Sequence, residues 1–214
     1  MPDKTRNVFA FASTVSLGGF IFGFDATVIS GVIGFVTREF DLDTLQQGMV
    51  VGAPTLASVL AAVSVGPLAD LVGRRRMLQW LALLYTVSAV LSALAPSYLA
   101  LVAARFLGGY AFGTLVLAPL YIAEISPAKM RGFMVSVNQL NIVIGFSAAY
   151  FANFYILEAS QSGAAWVTRF GLDQETWRFM LGVEIVPALL YLVLLTFFVP
   201  ESPRWLIVRG RIDE

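Results

Sequence analysis

The sequence contains no cysteine and no histidine. Without cysteine the chain has no disulfide framework, no thiolate nucleophile and no cysteine metal site. Without histidine it has neither a histidine-based catalytic triad nor a haem or zinc ligand of that kind. Only 13% of the residues are charged, against about 25% in a typical soluble domain. The net charge is zero, so the composition does not favour nucleic acid as a partner, and we expect no metal and no soluble cofactor.

Apolar sequence dominates instead: 58% of the 214 residues are hydrophobic, and the mean hydropathy is +0.78. A helix needs about 20 mostly apolar residues to cross the hydrocarbon core of a bilayer. Six stretches meet this length, at residues 8–36, 46–68, 77–95, 98–123, 133–157 and 176–199. The first is about twice as long as the roughly 7–15 apolar residues of a signal peptide and contains Asp25, so we interpret it as a retained span. The prediction is an all-α, multi-pass integral membrane protein in a lipid bilayer.

Basic residues in short loops concentrate on the cytoplasmic side of a membrane. With the N-terminus in the cytoplasm, ten of the fourteen basic residues fall on that side, namely Lys4, Arg6, Arg74, Arg75, Arg76, Lys129, Arg131, Arg204, Arg209 and Arg211. An even number of spans returns the C-terminus to the cytoplasm. We therefore predict cytoplasmic termini, in a plasma membrane or a bacterial inner membrane.

Three ionisable residues, Asp25, Arg105 and Glu184, lie inside the predicted spans. Each would cost about 2.5–3.5 kcal/mol near the bilayer centre, or roughly 8–10 kcal/mol together if unpaired. They should therefore face the interior of the bundle, and Asp25 and Arg105 occupy similar depths in the first and fourth spans. One interpretation is a fixed structural ion pair. The other is a proton switch, in which separation of the pair during a conformational cycle changes the proton affinity of Asp25.

Short motifs follow one another along the whole chain. Residues 66–75 read GPLADLVGRR, in which two glycines allow a tight turn and an acid stands beside arginines that it can bind. Residues 105–109 read RFLGG, residues 119–132 read PLYIAEISPAKMRG, and residues 200–206 read PESPRWL. With Gly23-Phe24-Asp25 and Ser30-Gly31 in the first span and Asn138-Gln139 in the fifth, the set resembles the sugar porter family of the major facilitator superfamily. The resemblance runs from about Gly18 to the last residue.

This resemblance implies one half of a major-facilitator fold, in which six transmembrane helices form two inverted three-helix repeats. Residues 1–199 would be the N-terminal six-helix bundle, and 200–214 the start of a cytoplasmic linker at which the chain is expected to be truncated. The expected partner is a C-terminal six-helix half, either covalent or a separate chain. Substrate would bind between the halves, and access to it would alternate between the two sides of the membrane.

The resemblance also assigns a cytoplasmic gate of charged residues, which closes the inner side of the site: Asp70, Arg74, Glu124, Arg131, Glu201 and Arg204. The alternative is that these groups only set topology and cap helix ends. The glycines at 108, 109 and 113 are better interpreted as helix-packing positions than as substrate contacts.

Gln139 matches a sugar-binding glutamine of the family, and an amide can both donate to and accept from neighbouring hydroxyls. Phe22 matches a position beside the sugar ring, and Ile142 and Phe146 complete the predicted substrate-binding set. A hydrogen bond from Gln139 to another helix is the alternative role. Phe146 stands where the family usually carries a second glutamine, so we expect a smaller, less hydroxylated or differently bound sugar.

In the family, an acid at the position of Asp25 accompanies proton symport and an amide accompanies uniport. Asp25, Arg105 and Glu184 are therefore the predicted proton-coupling group, with Glu184 as a proton relay or a structural support. The proton is the expected coupling ion, while sodium coupling and uniport remain alternatives.

The leading hypothesis is half of a secondary active transporter for a sugar or a similar polyol. A second is a half-size membrane subunit or sensor that needs a partner, which a native mass near 23.2 kDa rather than about twice that value would support. An intramembrane enzyme is disfavoured, because the two central acids lie on distant spans beside Arg105 and form no paired catalytic constellation.

Overall fold

The computed structural model describes residues 2–210, with side chains from residue 8 onward. The side chains of Lys4 and Arg6, and Arg211 with the rest of the predicted linker at 211–214, lie outside the described residues. The described part is helical, with the elements α1 (Pro2–Phe40), α2 (Thr44–Val72), α3 (Arg74–Ala93), α4 (Tyr98–Ala111), α5 (Thr114–Ile125), α6 (Arg131–Gln161), α7 (Ala165–Phe170), α8 (Thr176–Gly182), α9 (Ile185–Phe197) and α10 (Pro203–Val208).

Within the described part of the chain, six helical segments are long and apolar enough to cross a membrane: Val8–Phe40, Thr44–Val72, Arg74–Ala93, Tyr98–Ile125, Arg131–Gln161 and Thr176–Phe197. The predicted all-α class and the six spans are therefore confirmed. The helices extend beyond the predicted apolar stretches; the fifth, for instance, covers Arg131–Gln161 rather than 133–157. Hydropathy locates the part of a helix that lies in hydrocarbon, whereas polar residues continue the same helix into the interface.

The connections between the first five spans are short. Asp43 caps α2, because its carboxylate accepts from the backbone N–H of Gln46 at 2.8 Å while the Gln46 side chain accepts from the Asp43 N–H at 3.0 Å. Only Gly73 separates α2 from α3, and its φ of 104° lies in the region that favours glycine. A turn at Ser162 and Gly163 leads from α6 into α7.

The fourth and sixth spans are each interrupted near the middle. The breaks lie at Phe112 and Gly113 and at Val183 and Glu184. There the backbone forms 3₁₀-type hydrogen bonds, in which an N–H donates to the carbonyl three residues earlier. Examples are Phe112 N–H to Gly109 O and Glu184 N–H to Leu181 O, both at 3.2 Å. These breaks were not predicted. The second one holds Glu184, so the only acid of the sixth span lies at an irregular point of its backbone.

Glycines bring helices into close contact, as predicted for Gly108 and Gly109. A side chain at Gly109 would collide with the backbone of Pro54 on α2, and one at Gly145 would collide with the Phe20 carbonyl. In the same way a side chain at Gly23 would meet the backbone of α6. Span one and span five therefore pack backbone to backbone along much of their length.

The buried apolar side chains form two separate clusters along the bundle. Each cluster includes residues of the first, fourth and sixth spans. One contains Val15, Leu117 and Ala188, and the other contains Val28, Leu101 and Leu181. In each span the central charged residue, Asp25, Arg105 or Glu184, falls between the two members in sequence. The charged residues therefore form a thin polar layer between two apolar cores.

The two ends of the bundle differ in their connections. We call the end that carries the α2–α3 and α5–α6 connections and α10 the α10 end, and the opposite one the α7 end. At the α7 end, the Trp177 indole donates to Glu39, and Arg178 forms an ion pair with Glu39 at 3.4 Å. Arg178 also donates to the Ala95 carbonyl at 2.9 Å, so this cluster ties the ends of α1, α3 and α8 together.

Candidate transport site

The centre of the polar layer is an ion pair between the first and fourth spans. Arg105 Nη1 lies 3.2 Å from Asp25 Oδ1, and Nη2 lies 3.4 Å from Asp25 Oδ2. Its Nε donates to the Val50 carbonyl of α2 at 3.2 Å. Arg105 is 3% exposed and Asp25 7% exposed, so water reaches neither group freely. The predicted pairing is therefore present, and a third span holds it through the backbone.

Glu184 adds a second carboxylate to this layer. It is 2% exposed, and its Oε2 accepts from the hydroxyl of Tyr85 at 3.1 Å. Its Oε1 is buried and has no hydrogen-bond partner among the described residues. Asp25 and Arg105 are the charged groups whose fields act on it. Two buried carboxylates from different spans thus lie near one guanidinium, which among the described residues forms an ion pair with Asp25.

At the α10 end, Arg74 is the centre of a second set of ion pairs. Its Nη1 lies 2.5 Å from Asp70 Oδ1, near the end of α2, and its Nη2 lies 3.3 Å from Glu124 Oε1 on α5. The other oxygen of Glu124 accepts from the hydroxyl of Ser202 at 2.5 Å. This network links α2, α3, α5 and the segment that leads into α10. Asp70, Arg74 and Glu124 therefore meet as predicted.

Glu201 belongs to the same end but binds backbone rather than an arginine side chain. Its Oε1 accepts from the N–H of Arg75 at 3.0 Å and of Ser202 at 2.9 Å, which caps the start of α3. A side chain at Gly73 would collide with this carboxylate. The glycine between α2 and α3 is therefore required both for its backbone angle and for the approach of Glu201.

Two members of the predicted gate do not join the network. Arg131 is exposed at the start of α6 and makes no ion pair with a described residue. Arg204 lines the same cavity as Asp70 and Glu124, but it too forms no ion pair within residues 8–210. Arg131 is the first residue of α6, and Arg204 lies in the first turn of α10. Both side chains are exposed at these helix starts.

Other residues supply contacts that the sequence did not reveal. The Trp205 indole donates to the Asp70 carbonyl at 2.9 Å, and Arg209 donates to the same oxygen at 2.9 Å. The hydroxyl of Tyr121 donates to the Pro200 carbonyl at 2.9 Å. These bonds fasten α10 to the end of α2, and the segment before α10 to α5. The contact of Tyr85 with Glu184 at the centre was not predicted either, because a tyrosine within an apolar span does not indicate which residue its hydroxyl binds.

The predicted substrate-binding residues lie on the first and fifth spans. Phe22 is half-buried and packs edge-on against Phe112, with ring centroids 4.9 Å apart, beside the break in the fourth span. Ile142 and Phe146 are half-buried on α6. Gln139 is exposed on the surface of the described bundle, and no described residue bonds its side chain. Among the described contacts, the structure therefore shows no helix–helix bond for Gln139.

The fold and this site define a class: a polytopic membrane protein with a buried ion pair at its centre and an ion network at one end. The family profile described as "Sugar (and other) transporter" matches residues 11–214. The chain belongs to this sugar transporter family, and not to a family of enzymes.

Individual relatives agree with the family. The chain is 39% identical over 97% of its length to a glucose transport protein from Synechocystis sp., of which it covers 44%. It is 36% identical over 97% of its length to an arabinose-proton symporter from Bacillus subtilis, of which it covers 43%. Among solved structures, it matches the xylose transporter XylE from E. coli with a TM-score of 0.84 and 34% identity, over 96% of this chain and 53% of that one. The chain thus spans about half the length of these relatives.

Proposed function

We propose that this chain is the N-terminal half of a secondary transporter that moves a sugar with a proton by alternating access. The observation that carries the proposal is the central layer, where Arg105 binds Asp25 and Glu184 stands beside them with one oxygen unbonded among the described residues. Transport of sugars is supported by the relatives, whose names specify glucose, xylose and arabinose. These are the sugars to test first.

The proton step follows from the charges of the centre. Two carboxylates and one guanidinium leave an excess negative charge when all three are ionised, and an uncompensated buried charge is costly. A single proton bound to one of the two carboxylates makes the net charge of the three groups zero. If a conformational change draws Arg105 away from Asp25, the carboxylate loses its counter-ion and binds a proton. When the pair forms again, the proton is released on the other side.

The α10 end supplies the second element of alternating access. Its two ion pairs join α2, α3 and α5, a hydrogen bond from Ser202 adds the segment before α10, and the Asp70 side chain is exposed to water. We infer that this end faces the cytoplasm, as the basic loops require, and that both termini lie there. In this state the network holds the cytoplasmic side of the bundle closed, and its rupture opens that side.

The exposed face of α6 is where the sugar and the second half are expected. Gln139 is exposed with no partner among the described residues, and Ile142 and Phe146 flank it three and seven residues further along the same helix. A polar side chain on a membrane helix needs a partner. A sugar hydroxyl held between this face and a C-terminal six-helix half would provide one.

The proton step is tested by Asp25→Asn in the full-length protein. The amide keeps the shape of the side chain but binds no proton, so we expect sugar accumulation driven by a proton gradient to be lost. Exchange of labelled sugar between the two sides at equal concentration should persist, because it needs only the sugar site. Full accumulation by the variant in proteoliposomes would exclude Asp25 as the coupling residue.

The sugar site is tested separately by Gln139→Ala. Loss of a hydrogen-bonded amide should weaken sugar binding about tenfold, as is typical for a polar group that meets a ligand hydroxyl. Gln161→Ala is the matched control, since Gln161 is an exposed glutamine on the same helix, at its far end. Equal binding of the best-bound sugar by both variants, measured by calorimetry, would remove Gln139 from the site.

A further inference from the structure

A second charged cavity lies beside the start of α3, apart from the cavity that Asp70 and Glu124 border. It has a volume of about 250 Å³ and is lined mainly by polar side chains. Its lining comprises Val72, Arg75, Arg76, Gln79, Glu201, Trp205 and Leu206. We call it the Arg76 cleft. Neither the proton step nor the sugar site uses it.

Hydrogen-bond donors exceed acceptors in the Arg76 cleft. Its single carboxylate, Glu201, already accepts from two backbone N–H groups, those of Arg75 and Ser202. Arg75 Nη2 donates to the Thr196 carbonyl at 2.7 Å, while its Nε is buried without a partner among the described residues. Arg76 is exposed and bonds no acceptor within residues 8–210. The cleft therefore holds one net positive charge and guanidinium donors that remain available.

The cleft lies at the level of the membrane interface. Arg75 and Arg76 stand in the first turn of α3, where the third span begins, and Trp80 follows one turn later with 60% of its surface exposed. Tryptophan at a span end is typical of the headgroup region. A guanidinium offers paired N–H groups that match the oxygens of a phosphate, and basic pockets between spans on the cytoplasmic side bind lipid headgroups.

We propose that the Arg76 cleft is a phosphate-binding site, with Arg76 as its principal ligand and Arg75 and Gln79 beside it. The phosphate could belong to an anionic lipid of the adjacent leaflet or to a small soluble phosphate, and both present the same oxygens. Because Glu201 links this cleft to the cap of α3, a bound phosphate would stabilise the arrangement that holds α10 in place.

The test is binding of phosphatidylglycerol to the delipidated full-length protein, measured by native mass spectrometry. Diacylglycerol with the same acyl chains, which lacks the phosphate, is the ligand control, and inorganic phosphate is titrated by calorimetry as the soluble probe. Arg76→Gln removes the main ligand, and it should fold normally because the side chain is exposed. Lys129→Gln is the matched control, since Lys129 is an exposed cation in another loop of the same end.

We expect phosphatidylglycerol to bind in preference to diacylglycerol, and Arg76→Gln to weaken that binding about tenfold, the effect of losing a charge-assisted hydrogen bond. Lys129→Gln should leave it unchanged. Arg76-dependent binding of inorganic phosphate without a preference among lipids would support the site with a soluble ligand. Equal behaviour of the two variants toward both probes would overturn the proposal.

Discussion

The central ion pair and the network at the α10 end both join several helices, but they do so in different surroundings. At the centre, Arg105 and Asp25 lie between two apolar cores and are 3% and 7% exposed. At the α10 end, Arg74 divides its guanidinium between two carboxylates, and 67% of the Asp70 side chain is exposed. A buried pair has no substitute partner when it breaks, whereas the exposed Asp70 arm of the network can exchange its bond with water while Glu124 still holds Arg74. The centre is therefore suited to a switch with two states, and the end to a latch of graded strength.

The largest effect on stability is expected when one partner of the central ion pair is removed and the other is left in place. Arg105→Leu leaves Asp25 buried without its counter-ion, which should destabilise the bundle by about 3–5 kcal/mol. Thermal unfolding of the full-length protein in detergent measures this. The double variant with Asp25→Asn should recover most of the loss, because it removes the unpaired charge as well. A double variant no more stable than Arg105→Leu would show that the loss does not come from an isolated charge.

A smaller effect is expected from the buried arm of the network. Glu124→Ala removes one partner of Arg74 and the acceptor of Ser202, but Asp70 continues to bind the guanidinium. We expect a loss of about 1–3 kcal/mol, because two hydrogen bonds to a charged group are removed from a partly buried place. Ser202→Ala alone should cost less than Glu124→Ala in the same unfolding assay. The reverse order would mean that Arg74 gains little from Glu124.

The smallest effect is expected from the exposed arm. Asp70→Asn should change the stability by less than about 0.5 kcal/mol, since exposed ion pairs contribute little. Arg131→Gln, which loses no ion pair among the described residues, serves as the reference. A loss for Asp70→Asn as large as that for Glu124→Ala would contradict the difference drawn between the buried and exposed arms.

The sequence was sufficient for the class, the number of spans and the central pair. Apolar length defines a span, and a charge within such a stretch must find a partner, so Asp25 and Arg105 could be matched from their depths alone. The helix breaks at Gly113 and Glu184 were not predicted, although Pro187 removes the helical hydrogen bond to the Val183 carbonyl and Gly113 itself weakens a helix. Their geometry depends on packing between distant parts of the chain.

The α10 end was predicted only in part for a related reason. Acids and arginines in neighbouring loops suggest ion pairs, but the choice among Arg74, Arg131 and Arg204 depends on the direction in which each helix begins. Backbone acceptors such as the Asp70 carbonyl leave no trace in a sequence, so the contacts of Trp205 and Arg209 were missed. The sequence also did not show whether the face of α6 that carries Gln139 is buried or exposed, because apolar residues of this helix occur on all of its faces.

Proton movement driven by sugar is the most direct test of the proposed coupling. The full-length protein would be reconstituted into proteoliposomes with a pH-sensitive dye outside and no imposed gradient. Addition of the best-transported sugar should make the outer medium more alkaline as protons enter with it, and the Asp25→Asn variant should give no such change. Sugar entry by the unmodified protein without any change in outer pH would contradict proton coupling and leave a uniporter.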